Sequence, residues 1–284
     1  MRYPLKNKGK LAGMRTGLML LFSGSLLTGC LEVPDTLLVS DNNQTTSARC
    51  QSPSLGVNSE LSSSFSLLSW NIYKQQGDWQ PELEQWLDNS ELLVLQEAKA
   101  STELQDWLHQ QDYSWSQVAA FNWKNTENGV LTAAKSQATQ SCGQRLLEPA
   151  TRIPKSLLFS YYSLEDSPQQ LLLVNLHAIN FSLRGRTYKE QLQVISREIG
   201  DYSGPVIVAG DFNRWNARRE GFLSRWAHQE QLTEALPTPD HRTRFMGYPL
   251  DAVFYRGLEL EEAQSMESKA SDHSALQMRF RIPS

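Results

Sequence analysis

The amino-acid sequence predicts a single α/β domain over residues 65–284, and three observations lead to this fold class. The chain has 284 residues, of which 40% are hydrophobic and 20% are charged, so it can bury a substantial core. From residue 65 onward, short apolar runs alternate with segments of helical periodicity, which is the pattern of an α/β fold. The sequence of this region shows neither a second linker nor an internal repeat. One domain is therefore the simplest interpretation.

Apolar runs bounded by polar residues predict the strands. They cover residues 65–70, 92–96, 114–121, 156–162, 171–177, 206–210, 251–256 and 275–280. The run at 206–210 is apolar apart from its terminal glycine, which is typical of a strand covered on both faces.

Three helices are predicted between these strands. The first, over 81–88, opens with Pro81 at a first-turn position. The second, over 102–110, begins with a capping box formed by Thr102 and Gln105. The third, over 187–199, has an apolar face made of Tyr188, Leu192, Ile195 and Ile199.

The first thirty residues have the pattern of a bacterial lipoprotein signal peptide. Residues 1–29 carry five basic residues and no acidic one, and the apolar stretch 17–30 is too short to span a bilayer comfortably. This stretch ends in Leu-Thr-Gly-Cys30, which resembles the lipobox whose cysteine is lipidated and becomes the mature amino terminus. Met14 is an alternative to Met1 as the start, because residues 14–30 form a complete signal. The other interpretation is an ordinary apolar N-terminus with a chance cysteine.

The resemblance to lipoproteins implies a location in the bacterial cell envelope. Leu31, not Asp, follows Cys30, and this favours the outer membrane, with the protein facing the periplasm or the cell surface. Residues 30–64 are then the lipidated cysteine and a polar, flexible tether. Without residues 1–29 the chain has 22 Lys and Arg against 31 Asp and Glu, a net charge of −9. Such a surface disfavours tight nonspecific binding to nucleic acid, although a cleft can be locally basic.

Two cysteines remain beyond Cys30. In an exported chain, Cys50 and Cys142 permit one disulfide, which would attach the tether to the domain. Two unpaired thiols are the alternative.

Polar side chains of a kind that binds metal or phosphate flank the predicted strands. The strand at 206–210 leads into Asp211, and Asn213 lies two residues further on. Side chains at i and i+2 of an extended segment point the same way, so a carboxylate and a carboxamide would lie together. An ordinary turn is the alternative for this one segment. The recurrence of such residues favours a functional site; the others are Asn71, Gln96, Glu97, Asn175, His177, Asn180, Asp251, Asp272 and His273.

These residues lie in short motifs that occur in the order SWNI, LQE, NLH, GDFN, LDAVFY and SDH. With these motifs the chain resembles the endonuclease/exonuclease/phosphatase superfamily, the DNase I-like metal-dependent phosphodiesterases, and within it the bacterial YafD-like branch. The resemblance implies a four-layer α/β sandwich in which two mixed β-sheets pack face to face, with helices outside. It places the site at the carboxyl ends of strands on one rim.

The resemblance also implies a role for each motif residue. Its metal ligands are Asn71, Glu97 and Asp272, whose oxygen atoms suit Mg²⁺, with Mn²⁺ as the alternative. Its catalytic residues are His177, Asp211, Asn213, Asp251 and His273. Asp211 and Asn213 would orient or activate the attacking water, and Asp251 would fix the tautomer of His273. His177 would be a general acid or a phosphate ligand, and Asn180 would contact substrate phosphate.

Arginines follow the GDFN motif. Arg214 and Arg218, with Trp215 between them, are predicted to bind the backbone of a nucleic-acid substrate. A solvated, charged loop is the alternative.

The predicted function is Mg²⁺-dependent hydrolysis of phosphodiesters, foremost by a membrane-anchored nuclease acting on DNA or RNA. A phospholipid or small-molecule phosphodiesterase or phosphatase is the second hypothesis, with Phe181, Leu183 and Trp215 as apolar contacts. A noncatalytic binding lipoprotein is the third. The sequence implies a membrane partner, through the lipid anchor, and no protein partner.

Overall fold

The computed structural model describes residues 31–41, 59–87 and 90–283. The helices of these residues are Trp79–Trp86 (α1), Thr102–Gln110 (α2), Arg186–Ile199 (α3) and Ala217–Gln229 (α4). The strands are Leu31–Glu32 (β1), Leu38–Ser40 (β2), Ser64–Asn71 (β3), Ser90–Lys99 (β4), Ser114–Trp123 (β5), Thr126–Ala134 (β6), Gln140–Leu147 (β7), Pro154–Ser163 (β8), Gln170–His177 (β9), Val206–Asp211 (β10), Thr233–Glu234 (β11), Arg244–Phe245 (β12), Tyr248–Pro249 (β13), Asp251–Arg256 (β14), Glu259–Met266 (β15) and Ala275–Arg281 (β16). Within the described segments, every helix is too short or too polar to cross a membrane.

The strands form two mixed sheets. The first has the order β1-β5-β6-β4-β3-β16-β15, with β2 also paired to β5. The second has the order β11-β14-β10-β9-β8-β7, and β12 and β13 form a separate hairpin. The pairs β3–β4 and β9–β10 are parallel, and the neighbours on either side of them are antiparallel.

Three apolar cores make this a four-layer sandwich. Between the sheets, Leu67 and Val94 of the first pack in one cluster with Leu173 and Ile207 of the second. Helices α3 and α4 cover the outer face of the second sheet, and α1 and α2 cover the outer face of the first. This arrangement confirms the predicted fold class, the DNase I-like sandwich of two sheets packed face to face.

Strand β10 shows how the sequence sets the direction of the site residues. Val206 and Val208 pack on the helical side, whereas Ile207 and Ala209 face the other sheet. Asp211 continues the second row, because side chains alternate along a strand. Gly210 lies between them with φ of +140°, and a Cβ there would be 2.1 Å from the carbonyl oxygen of Leu176. Only glycine fits this approach of β10 to β9, which explains the first residue of GDFN.

A buried polar link joins the sheets behind the site. The side chain of Gln96 donates to Oδ1 of Asn175 at 3.0 Å. Asn175 in turn donates to the backbone oxygens of Leu95 at 3.1 Å and Leu131 at 2.9 Å. Because every one of these groups is buried, the link fixes how the two strand ends face each other. Gln96 and Asn175, two of the polar strand-end residues, are therefore structural.

The predicted helices and strands are largely confirmed, with local differences. The N-cap of α2 is Ser101, whose Oγ accepts from the backbone N–H of Leu104, so the predicted capping box at Thr102 is wrong. Helix α4, which Asn216 caps, was not predicted, so the alternative of a charged loop after GDFN is wrong for residues 217–229. Strands β6, β7 and β15 were not predicted because their sequences are too polar or too rich in small residues to stand out. β15, for example, is largely exposed at a sheet edge.

Part of the predicted tether belongs to the domain. Leu31 pairs with Trp123, and Leu38 pairs with Val118 and is buried. Arg145 holds the same segment by donating to the backbone oxygens of Pro34 and Thr36. Strands β1 and β2 are thus not the flexible linker that composition predicted over 30–64.

Of the three cysteines, Cys142 lies among the described residues. Cys142 is buried and disulfide-bonded, so the alternative of a free thiol is wrong for it. Its predicted partner Cys50 lies outside the described residues, as do the signal peptide 1–29 and the lipidation site Cys30.

Candidate active site

Strand pairing brings the predicted site residues to one rim of the sandwich. In the second sheet, His177, Asp211 and Asp251 occupy the same level of β9, β10 and β14, because Asp211 pairs with both of the others. In the first sheet, Asn71 pairs with Gln96, the residue before Glu97. The rims meet where the side-chain amide of Asn71 donates to Oδ2 of Asp211 at 3.3 Å.

Asp211 is the centre of the group. It is only 2% exposed, and its Oδ1 accepts from the backbone N–H of Asn213 at 2.9 Å. The Asn213 amide donates to Oδ2 of Asp211 at 3.2 Å and to the backbone oxygen of Ala178 at 3.1 Å. Asn213 has φ of +48°, a conformation that turns the chain sharply behind the carboxylate. It therefore orients Asp211, as well as lying beside it.

His273 forms a pair with Asp251. Nδ1 of His273 lies 2.8 Å from Oδ2 of Asp251. Ligand atoms of Asp211, Asp251 and His273 all lie within 4.8 Å of one another. The loop that carries His273 is attached to β3, because Ser271 donates to the backbone oxygen of Asn71 and the indole of Trp70 donates to that of His273. The predicted pairing of Asp251 with His273 is thus present.

Burial and neighbouring charges shift the pKa of both groups in this cluster. Burial alone would lower the pKa of His273, but the charge and hydrogen bond of Asp251, aided by Asp211 and Asp272, outweigh it and raise the pKa to about 10. Burial raises the pKa of Asp211 to about 6, against the opposing effect of His273. At neutral pH the site therefore holds an imidazolium beside a carboxylate able to take up a proton.

His177 differs from His273 in its charge. Nζ of Lys155 lies 2.7 Å from Nε2 of His177, which is also 3.5 Å from Oδ2 of Asp211. Burial, followed by the positive charge of Lys155, lowers the pKa of His177 well below its usual value. A neutral His177 accepts the hydrogen bond of Lys155 at Nε2. It does not donate a proton from that atom, so the geometry does not favour the predicted general-acid role.

Glu97 and Asn71 offer the oxygen atoms suited to a metal ion. Glu97 has φ of +51°, and the pairing of β4 with β6 shifts register between Leu95 and Ala98, so a bulge turns its side chain toward the cleft. Lys74 forms an ion pair with this carboxylate. Asp272, the third predicted ligand, is exposed on the same rim. Carboxylate and carboxamide oxygens with room for water fit Mg²⁺.

The tightest carboxylate–imidazole group of the described residues is a different set. It consists of Asp211, Asp251 and His273. His273 and Asp251 are hydrogen-bonded to each other, and a protonated imidazole has no lone pair for a metal. This group is therefore better suited to proton transfer than to metal binding.

The arginines after GDFN are mostly structural. Arg214 is 2% exposed; its guanidinium binds the carboxylate of Glu234 and the backbone oxygen of Pro249. It cannot reach a substrate, so its predicted binding role is wrong. Arg219 is also buried and donates to the backbone oxygens of Ile179 and Asn213. Arg218 is exposed on the first turn of α4, and its substrate contact stays a prediction.

Replacing Arg214 by Met is expected to lower the free energy of unfolding by about 3 kcal/mol, because it leaves Glu234 partly unpaired inside the protein. The matched change Arg218→Met, on the exposed surface, should stay within about 0.5 kcal/mol. Urea denaturation of the two variants checks this. A raised KM with unchanged stability in Arg214→Met would instead restore its predicted contact with substrate.

The pair of His273 and Asp251 predicts a pH-dependent stability. The folded-state pKa of His273 is raised, so its contribution is fully present below its unfolded pKa of about 6.5 and is lost as pH rises toward about 10. The wild type should therefore lose up to a few kcal/mol more than His273→Gln between about pH 6 and about pH 10. Urea denaturation across this range measures the difference. The exposed His109→Gln variant should follow the wild type; parallel curves for His273→Gln would contradict the assignment.

Asn180 is held firmly beside the cleft. Its Oδ1 accepts from the indole of Trp215 at 2.8 Å, and its backbone N–H donates to Oε1 of Glu148 at 2.6 Å. The same oxygen of Glu148 accepts from the N–H of Phe181. Asn180 is therefore placed as expected for a residue near substrate, and this role stays a prediction.

Sequence reasoning missed Lys155, Glu148 and Lys74. Lys155 stands at the start of the apolar strand β8, and Glu148 follows β7, which was not predicted at all. A lone lysine entering an apolar run was a usable indication for Lys155. Its partner could not be inferred, because the proximity to His177 depends on how β8 pairs with β9.

The fold and the rim of Asp, Asn, Glu and His side chains define the DNase I-like class of α/β sandwiches. The sequence profile of the Endonuclease/Exonuclease/phosphatase family matches residues 68–273. This chain belongs to that family, whose members are hydrolases acting on phosphoester bonds.

Relatives that match most of the chain occur in Vibrio. A UPF0294 protein of Vibrio cholerae serotype O1 (strain ATCC 39315 / El Tor Inaba N16961) is 41% identical over 255 residues, covering 88% of this chain and 89% of that one. A UPF0294 protein of Vibrio campbellii (strain ATCC BAA-1116) is 37% identical over 257 residues, with 88% and 89% covered.

Solved structures share the fold at low sequence identity. An endonuclease/exonuclease/phosphatase from Beutenbergia cavernae DSM 12333 has a TM-score of 0.63 at 15% identity, covering 77% of this chain and 72% of that one. The human Nocturnin catalytic domain has a TM-score of 0.59 at 18% identity, with 79% and 97% covered. ANGEL2, a 2′,3′-cyclic phosphatase, has a TM-score of 0.59 at 17% identity, with 77% and 95% covered.

Proposed function

We propose that this protein is a Mg²⁺-dependent phosphodiesterase and, foremost, a nuclease that acts on DNA or RNA. The observation that carries the proposal is the placement of Asp211, a carboxylate with a raised pKa, within 4.8 Å of the hydrogen-bonded His273–Asp251 pair, on the same rim as Glu97. Hydrolysis of a phosphodiester needs a group that takes a proton from water and cations that bind the phosphoryl oxygens. Both are on this rim.

Each side chain has a distinct task in this proposal. Asp211, oriented by Asn213, accepts the proton of the attacking water, and the imidazolium of His273 binds a phosphoryl oxygen or protonates the leaving oxygen. Lys155 adds positive charge beside His177 for the same phosphate. Glu97, Asn71 and the exposed Asp272 would hold the metal, with Mn²⁺ as an alternative to Mg²⁺. A bound metal ion would neutralise phosphoryl charge.

A second candidate is hydrolysis of a phospholipid or a small phosphoester. Phe181 is 52% exposed beside the cleft, which provides an apolar surface for such a substrate. ANGEL2, with the same fold, acts on 2′,3′-cyclic phosphates by its name. A noncatalytic binding protein is disfavoured, because burying Asp211 against its solvation costs stability that a scaffold has no reason to lose.

We place the protein at the outer membrane, attached through lipidated Cys30, with its domain facing the periplasm or surface. The basic start, the apolar stretch and the lipobox-like residues support this proposal. Labelling with a radioactive fatty acid tests it: wild type should be labelled and Cys30→Ser should not.

One assay tests the proposed activity. The purified protein is incubated with Mg²⁺ or with EDTA, on single-stranded DNA, RNA, duplex DNA, a phospholipid and a chromogenic phosphodiester. Mg²⁺-dependent turnover of nucleic acid supports the nuclease. Turnover confined to lipid or small esters would keep the catalytic assignments and replace the substrate, and absence of turnover on every substrate would contradict the proposal.

A further inference from the structure

A cavity of about 220 Å³ opens beside the catalytic rim. Residues of β5, β6 and β8 and of the loops after β7 and β9 form its walls. It shares Glu97 and His177 with the site described above, whereas Asp211, Asp251 and His273 do not line it. A substrate phosphate at the rim would therefore have the group attached to it next to this cavity.

One wall of the cavity is apolar and partly aromatic. Phe121 and Phe181 line it together with Ile153, Pro154 and Ala120. Aromatic side chains stack on nucleic-acid bases without regard to sequence, because every base has a flat π-face. Asn128 also lines the cavity and adds a polar group.

The end of the cavity nearest the catalytic rim carries two lysines. Lys155 contacts the neutral His177, and Lys74 is paired with Glu97. Glu148, the other acid in the wall, accepts hydrogen bonds from the backbone N–H groups of Asn180 and Phe181. Lys155 thus lies against His177 where the cavity meets the catalytic rim, and an ammonium group at this position favours a phosphate.

Size limits what can enter. Pockets for drug-sized ligands measure roughly 300–1,000 Å³, so about 220 Å³ holds one ring system and excludes a pair of acyl chains. A base inside a duplex would have to be unpaired and unstacked before it could enter. A base of a single strand, a chain end or a small nucleotide ester is free to do so.

We propose that this cavity is a subsite for a single nucleotide base next to the scissile phosphate, so that the enzyme prefers single-stranded ends and small nucleotide phosphodiesters to intact duplex. The inference rests on the proposed phosphodiesterase function. Phe121 and Phe181 contact the base, and Lys155 binds the phosphate.

The test separates the base from the phosphate by comparing two ligands. Adenosine 5′-monophosphate carries both, whereas ribose 5-phosphate lacks the base; calorimetry of the full chain in detergent, with EDTA present, measures both Kd values without turnover. The wild type should bind the nucleotide roughly 5- to 150-fold more tightly, the range expected for stacking of one base.

Four cavity variants and one control assign the effect to the cavity. Three variants should weaken the binding of the nucleotide and leave the binding of ribose 5-phosphate unchanged: Phe121→Ala, Phe181→Ala and the cavity-filling Ala120→Leu. Lys155→Met should weaken the binding of both ligands by the same factor. Trp123→Ala removes an exposed aromatic residue of β5 outside the cavity, and it should bind like the wild type.

Equal affinity of the wild type for the two ligands would overturn the subsite, as would hydrolysis of duplex as fast as single-stranded DNA. Circular dichroism identifies any variant that fails to fold, and the remaining cavity variants then decide. If the nucleotide binds as expected but no phosphoester is hydrolysed, the subsite stands and the proposed catalytic function is wrong.

Discussion

Replacing Asp211 by Asn is expected to lower kcat for a phosphodiester by about 10²- to 10⁴-fold, the contribution of a well-placed general acid–base group. Asparagine keeps the size of the side chain and one oxygen for the N–H of Asn213, but it cannot take a proton from water. The loss should appear in kcat and not in KM, since the change removes an interaction of the transition state.

The same substitution should not lower the free energy of unfolding. The folded-state pKa of Asp211 is raised to about 6, so above that pH the ionised carboxylate disfavours folding. Removing the charge relieves this cost, partly offset by the loss of its attraction to His273. Loss of activity with unchanged or higher stability is typical of a functional site under electrostatic strain.

Thermal denaturation and steady-state kinetics on one preparation check both halves of this prediction. The exposed Asp201→Asn variant is the matched control and should resemble the wild type in both. An Asp211→Asn protein with near-normal kcat would remove Asp211 from the mechanism. If Asp211→Asn instead unfolds, the hydrogen bonds of the Asp211 carboxylate stabilise the protein by more than its buried charge destabilises it.

Replacing Glu97 by Gln is expected to raise the Mg²⁺ concentration needed for half-maximal activity by at least about 10–100-fold, the loss seen when even a supporting residue of a metal site is removed. Glu97 is the carboxylate that the bulge in β4 turns toward the cleft, and a neutral amide binds Mg²⁺ weakly. Its ion pair with Lys74 is partly exposed, so stability should change by less than about 1 kcal/mol.

Two further variants test whether the effect is specific to the Glu97 carboxylate. Glu103→Gln, on the exposed face of α2, should leave the Mg²⁺ dependence unchanged. Lys74→Met removes the competing ammonium from Glu97, so it should lower the Mg²⁺ requirement. An unchanged Mg²⁺ dependence in Glu97→Gln would move the metal site elsewhere on the rim, with the group of Asp211, Asp251 and His273 as the first candidate.

The sequence alone allowed prediction of the fold class, most core strands and three of the four helices among the described residues. These features depend on local patterns, because apolar runs and helical periodicity can be recognised in short stretches of sequence. Edge strand β15 and helix α4 were not predicted, because most of their residues are polar and their packing depends on partners far along the chain. Strands β1 and β2 were not predicted because each has only two or three residues and forms a strand only by pairing with the edge of β5.

The candidate site, too, could be predicted only in part. The sequence by itself determined which polar side chains lie at the strand ends and in the adjoining loops, so Asp211, Asn213, Asp251 and His273 could be named from their motifs. Only the tertiary structure decided what each one contacts: Arg214 pairs with Glu234, Lys155 lies against His177, and Asp251 raises the pKa of His273. The physical reason is that charge, burial and pKa depend on groups that strand register brings together from far along the chain, and the residue types alone do not specify that register.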